Sequence, residues 1–109
     1  MAHDASRYAD LTLHEFTGLL ASSEPVPGGG SASAVAGALA ASLLEMVAAL
    51  SAGRPKYSPY ERTIARAALE GARAREAFLE LADRDAAAYA AFSAAMKLPH
   101  ETPQEVAGR

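Results

Sequence analysis

Residues 25–50 read PVPGGGSASAVAGALAASLLEMVAAL, and this stretch decides the fold. Pro25 and Pro27, followed by Gly28, Gly29 and Gly30, end whatever precedes them and open backbone angles closed to residues with a Cβ. From Ser31 the chain becomes a run of alanine and leucine with no apolar–polar alternation, so it reads as helix and not as strand. The run reaches about Ser51, where Gly53 and Pro55 break it. Gly30, Ala34, Gly37, Ala38 and Ala41 recur at helical spacing, and a second helix is expected to approach that small-residue face closely.

Residues 34–50 are apolar enough to be weighed as a membrane span. Gly37, Ser42 and above all Glu45 argue against it, since an acidic side chain deep in a bilayer is costly. The reading is a buried helix of a soluble protein.

Upstream, Thr12 and Glu15 form a capping box opening a short helix over about 12–22. Downstream, Ser58-Pro59-Tyr60-Glu61 signals another start: a capping serine, a proline where its missing N–H does no harm, and a glutamate reaching back. That third helix runs to about Leu98, before Pro99, with Gly71 the expected bend or break. Thr102-Pro103-Gln104-Glu105 repeats the box and announces a fourth helix, yet only Val106 to Arg109 follow, which suggests a chain cut short. The expected fold is all-α, a multi-helical bundle of long helices formed or completed by oligomerisation. With 109 residues the chain supports one domain, residues 1–109.

A net charge of −3 offers no clustered basic surface for nucleic acid or an anionic membrane, and the absence of cysteine excludes disulfides and thiolate chemistry. The polar, acidic start does not read as a secretion signal, so a cytoplasmic protein is expected. His3, His14 and His100 lack ligand-like spacing, and no metal site is expected.

Three places offer chemistry. The glycines at 28–30 lead straight into a helix and leave backbone N–H groups free for an anionic or carbonyl-bearing ligand; a tight turn between closely packed helices would use the same residues. No lysine follows for a P-loop, and Ser33 stands at the third glycine position of a dinucleotide fingerprint. Asp83 and Asp85 lie two apart and point to different faces. Tyr89 falls one turn beyond Asp85, and an aspartate pressed against alanine and tyrosine suits proton transfer near neutral pH. The alternative is an exposed aspartate paired with Arg84 or Arg75. Arg54, Lys56 and Tyr57 could hold a carboxylate or stack on a flat ring, or form a solvated turn; Lys97 could act likewise or favour the C-terminal end of its helix.

Taken together, Pro25-Val26-Pro27-Gly28-Gly29-Gly30-Ser31, Ala36 to Ala40, Met46-Val47, Arg54 to Tyr57, Ala82-Asp83-Arg84-Asp85-Ala86 and Met96 to Pro99 resemble the cyclodeaminase domain of formiminotransferase-cyclodeaminase and its stand-alone relatives, the methenyltetrahydrofolate cyclohydrolases. The resemblance covers about residues 10–105 and implies an all-α, dimer-forming domain, here its N-terminal part. The implied reaction is closure of 5-formiminotetrahydrofolate to 5,10-methenyltetrahydrofolate with loss of ammonia, or hydrolysis of the methenyl compound. A tetrahydrofolate derivative is then the substrate and no cofactor is needed. It implies Asp85 as acid or base, with Gly28, Gly29, Gly30 and Ser31 shaping the folate pocket. Lys56, Tyr57, Tyr89 and Lys97 complete the expected substrate contacts, the lysines by their charge. Pro55 interrupts the family's usual basic run, His100 replaces a common lysine, and the family domain continues through further helices. A non-catalytic, self-associating helical module of the same ancestry is the alternative.

Overall fold

The computed structural model describes residues 7–98, and within them every regular element is helical. A 3-10 turn, Tyr8–Asp10, leads into α1, Leu13–Leu20; α2 follows at Gly29–Ser51, then a second 3-10 turn at Pro55–Tyr60, and α3 spans Glu61–Met96. The all-α expectation holds, and the positions announced for a fourth helix lie outside the described residues.

Each start and stop has a local cause. The capping box at α1 is formed: the Glu15 N–H donates to Thr12 Oγ1 at 3.0 Å, and the Thr12 N–H donates to Glu15 Oε1 at 2.8 Å. α1 closes at Leu20, two residues before the expected end, as the Ser22 N–H and hydroxyl both turn back to the Leu19 carbonyl. α2 begins at Gly29 instead of Ser31, because the glycines themselves take helical angles and the Ala32 N–H reaches the Gly28 carbonyl at 3.0 Å. Gly53 at φ +75° turns the chain out of α2. The serine cap expected at Ser58 is not made: residues 55–60 form the 3-10 turn, and α3 starts at Glu61 behind Tyr60, without a side-chain cap.

The core is the antiparallel pair α2–α3. Ser31, Ala34, Ala38, Ala41 and Ala48 form the buried stripe of α2, as the small-residue spacing predicts. Gly71, expected to bend or break α3, does not break it and is buried within one continuous helix. Its role is close approach: a Cβ there would meet Glu45 Cγ at 2.9 Å and the Ala41 carbonyl oxygen at 3.3 Å. Beside it Arg75 Nε lies 2.7 Å from Glu45 Oε2, so the acidic residue that argues against a membrane span is an ion-pair partner across the two helices. α2 is nonetheless long and apolar enough to cross a membrane by length and composition.

The pair is elongated, with a radius of gyration of 20.0 Å where a compact chain of this length has about 13 Å. The helices touch through small residues, so the large apolar side chains of α2 face outward: Leu39, Leu43, Met46, Val47 and Leu50 are all about half exposed or more.

Candidate functional site

Three elements meet where α2 begins. The loop from α1 brings Pro25, Val26 and Gly28; the first turn of α2 brings Gly29 and Gly30; α3 brings Asp85 and Tyr89. Together they line a cleft of about 300 Å³. Pro27 is buried, so the loop is folded against the helices at this point; the Val26–Pro27 peptide bond is cis.

Asp85 sits directly over Gly30. A Cβ on Gly30 would fall inside the Asp85 carboxylate, so glycine is what allows the carboxylate to rest at this place. The same carboxylate and Gly30 also line a second groove, of about 470 Å³, with Ser33, Phe78, Leu81 and Arg84. Asp85 therefore stands on the wall between two hollows, where one carboxylate can reach a ligand from either side. The N–H groups of Gly29, Gly30 and Ser31 precede the first intrahelical bond of α2 and carry its positive end.

Arg75 and Arg84, the two cations weighed as partners of Asp85, are held elsewhere. Arg75 is bound by Glu45 and Glu76, and the Glu45 bond raises the guanidinium pKa further above its ordinary value. Arg84 pairs with Glu80 at 3.5 Å. Among the described residues no cation pairs with Asp85, so the alternative of a surface aspartate tied to Arg84 or Arg75 does not hold. Asp85 is exposed on its outer side, however, and this chain does not press it into the alanine and tyrosine surroundings expected of it.

Asp83 takes a different partner, as its two-residue offset requires. Its Oδ1 accepts the Tyr8 N–H at 2.8 Å, and its Oδ2 lies 3.9 Å from Arg7 Nε. The Tyr8 phenol is pushed above its ordinary pKa, first by burial and then by the charges of Asp83 and Asp85.

Gly28, Gly29, Gly30, Asp85 and Tyr89 are thus brought together. Ser31 lies behind them, fully buried, its hydroxyl donating to the Ala82 carbonyl at 2.7 Å and joining α2 to α3. Lys56 and Tyr57 are not part of this cleft. They lie beyond the other end of α2, whose 23 residues span about 35 Å. There Lys56 Nζ stands 5.4 Å from the Tyr57 ring centroid, and Tyr57 edges a groove of about 500 Å³ with Arg54, Glu61 and Ile64. Lys97 caps the C-terminal end of α3, three turns past Asp85. Sequence reasoning missed Pro25 and Val26 as walls, and Arg7 and Tyr8 as partners of Asp83; nothing in the local pattern at 7–8 marks them.

A family model described as formiminotransferase-cyclodeaminase matches residues 12–109. The chain belongs to the formiminotransferase-cyclodeaminase family. It is 36% identical over 98 residues to a methenyltetrahydrofolate cyclohydrolase of Methylorubrum extorquens, an alignment covering 90% of this chain and 47% of that protein. It is 35% identical over 96 residues to the formimidoyltransferase-cyclodeaminase of Rattus norvegicus, covering 88% of this chain and 18% of the relative. The Sus scrofa protein of the same name is 33% identical over 93 residues, covering 85% and 17%. The chain thus spans about half the length of the cyclohydrolase and under a fifth of the two-function proteins. All the cleft residues fall within the span matched by the formiminotransferase-cyclodeaminase family, whereas Arg7 and Tyr8 precede it.

Proposed function

We propose that this chain forms part of a folate-converting site of one-carbon metabolism in which Asp85 moves protons at the carbon between two folate nitrogens. In the deaminating direction the folate nitrogen N10 attacks the carbon of the protonated formimino group, –CH=NH2+, of 5-formiminotetrahydrofolate. Asp85 takes the N10 proton and delivers it to the departing nitrogen, so that one C–N bond forms, another breaks, and ammonia leaves the methenyl product. In the hydrolytic direction the same carboxylate removes a proton from a water attacking the methenyl carbon and passes it to the folate nitrogen whose C–N bond opens, while the adduct's hydroxyl proton is lost to solvent and the formyl compound is left. The observation that carries this reading is the Asp85 carboxylate, which pairs with no cation among the described residues, held over Gly30 beside the amides of the first turn of α2 and the Tyr89 ring.

Gly28, Gly29, Gly30 and Ser31 shape the pocket in this proposal, and Tyr89 offers a ring against which a flat pterin can lie. Lys56, Tyr57 and Lys97 serve substrate carboxylates only if something brings them to the cleft. A second copy does so for the first two. Leu39, Leu43, Met46 and Leu50 follow the spacing of a coiled-coil seam, and an antiparallel pairing centred on Leu43 sets the Lys56–Tyr57 end of one copy beside the Gly29–Gly30 end of the other. We accordingly read the functional unit as a cytoplasmic homo-oligomer that engages a small-molecule folate and neither nucleic acid nor membrane. The second reading, a self-associating module without activity, is favoured by the same outward-facing leucines, of which Leu50 is 61% exposed.

Absorbance-monitored turnover of 5-formimino- and 5,10-methenyltetrahydrofolate, with light scattering on the same sample, separates the two readings. Turnover by a defined oligomer, falling by about 10²–10⁴-fold in Asp85→Asn, supports the enzyme. A well-folded oligomer without turnover supports the module, and an active Asp85→Asn would show that the proton carrier is another group.

A further inference from the structure

One turn of α3 holds three separate points of the N-terminal third of the chain. The Ala82 carbonyl accepts the Ser31 hydroxyl, the Asp85 carboxylate covers Gly30, and Asp83 Oδ1 accepts the Tyr8 N–H across 75 positions of sequence. Residues 8–31 therefore form a closed loop whose two ends rest on the same turn. Inside that loop α1 contributes a single buried side chain, Phe16, and the Tyr8 ring meets it edge-on with centroids 5.6 Å apart. The chain leaves α1 to become Pro25 and Val26, two walls of the Asp85 cleft.

We propose that Asp83 is a positioning residue for the glycine loop: by accepting the Tyr8 N–H it closes the 8–31 loop and keeps Pro25 to Gly30 seated against Asp85. The catalytic consequence rests on the folate reading above; the structural role does not. Without the Asp83 contact, α1 becomes an eight-residue helix on a free tail, shorter than the 12–15 residues at which isolated helices become even marginal. Phe16 is then the one buried side chain that α1 itself offers the helix pair, and the loop it leads into loses its upstream anchor. Asp85 stays on α3, so the effect falls on the wall of the cleft and not on the carboxylate. Two aspartates two positions apart face different neighbours on a helix, which lets one shape the site while the other works in it.

Residue-resolved amide exchange on the intact chain tests this. The Phe16 and Ala21 N–H groups report α1 through their bonds to the Thr12 and Thr17 carbonyls; Ala32, bonded to Gly28, reports the glycine loop; Ala52, bonded to Ala48 at the far end of α2, is the control. Asp83→Ala should speed exchange at Phe16, Ala21 and Ala32 about tenfold, as expected for losing one hydrogen bond to a charged acceptor, and leave Ala52 unchanged. Asp83→Asn, whose amide oxygen still accepts from Tyr8, should restore protection. The proposal is overturned if Ala32 keeps its protection in Asp83→Ala, if asparagine behaves like alanine, or if Ala52 accelerates with the rest. In turnover of 5,10-methenyltetrahydrofolate, Asp83→Ala should raise KM about tenfold and hold kcat within a few-fold; a fall in kcat at unchanged KM would refute the positioning role. Absence of turnover in the unsubstituted chain refutes the folate reading, and the exchange data still decide the role of Asp83.

Discussion

Gly30→Ala separates the stability of the helix pair from the chemistry of the cleft. The added methyl would occupy the place of the Asp85 carboxylate. That carboxylate ends a short side chain exposed on its outer side, so it can swing away, at a cost of about 0.5–1.5 kcal/mol if it is forced off a rotamer. Against this, alanine in a helical turn stabilises by about 0.4–1 kcal/mol by restricting the unfolded chain. The two nearly cancel, and the folding free energy should stay within about 1 kcal/mol of the parent, a shift of some 4–8 °C in Tm at most for a chain of this size. Turnover should fall by about 10² or more, because the proton carrier has left its place. Gly18→Ala is the control: nothing lies within 4 Å of its Cβ, so it should stabilise slightly and leave turnover alone. Thermal melts and the absorbance assay on the two variants decide the matter. Full activity in Gly30→Ala would refute the argument that Asp85 must sit over the glycine.

Gly71→Ala should behave oppositely. Its methyl meets the Ala41 carbonyl oxygen at 3.3 Å, a backbone atom that cannot swing aside, so a loss of about 1–3 kcal/mol in denaturant unfolding is expected despite better helix propensity; an unchanged midpoint would mean the helices separate freely there. Leu43→Asp places a charge at the centre of the exposed seam of α2 and should halve the mass seen by light scattering, while an unaltered mass would remove that face as the interface. The raised pKa of the Tyr8 phenol means that folding favours its protonated form, so its contribution is intact below the ordinary value of 10.0 and is lost as pH rises through the folded value. Melts between about pH 9 and 12 should therefore fall more steeply for the parent than for Tyr8→Phe, and equal slopes would contradict the assignment.

Most of the fold was legible because local signals agreed with the tertiary structure. The Thr12–Glu15 box, the break at Gly53 and the alanine face of α2 all act through neighbours in sequence or one helical turn away. Gly71 misled because intrinsic propensity registers only the cost of glycine in a helix. It cannot register that α2 lies where a Cβ would be. Ser58 misled for a related reason, since a good capping pattern was overtaken by a 3-10 turn that carries the chain from one helix to the next. The cleft was half legible: Gly28 to Gly30, Asp85 and Tyr89 meet as read, but nothing local says that Lys56 and Tyr57 lie a helix length away. Tyr8 was invisible because its backbone N–H, not its side chain, makes the contact, and every residue but proline has one.

The distribution of side-chain size on α2 links the site to the exposed apolar face of the same helix. Close approach of α2 to α3 requires small residues on the shared face, and that approach sets Asp85 over Gly30. Small residues bury little area, about 25 cal/mol per Å² being the return on what is removed from water, so the alanine and glycine that α2 brings to the shared face contribute weakly. The chain's larger apolar side chains, Leu39, Leu43, Met46, Val47 and Leu50, are left on the opposite face. Two such faces placed together would remove on the order of 100 Å² per large side chain, or roughly 1,000 Å² over the seam, about where specific interfaces begin. The geometry that brings a carboxylate over a glycine thus also leaves the large apolar side chains of α2 uncovered, and in the proposed homo-oligomer a second copy with the same uncharged seam would cover them in the antiparallel sense that brings Lys56 and Tyr57 toward the cleft.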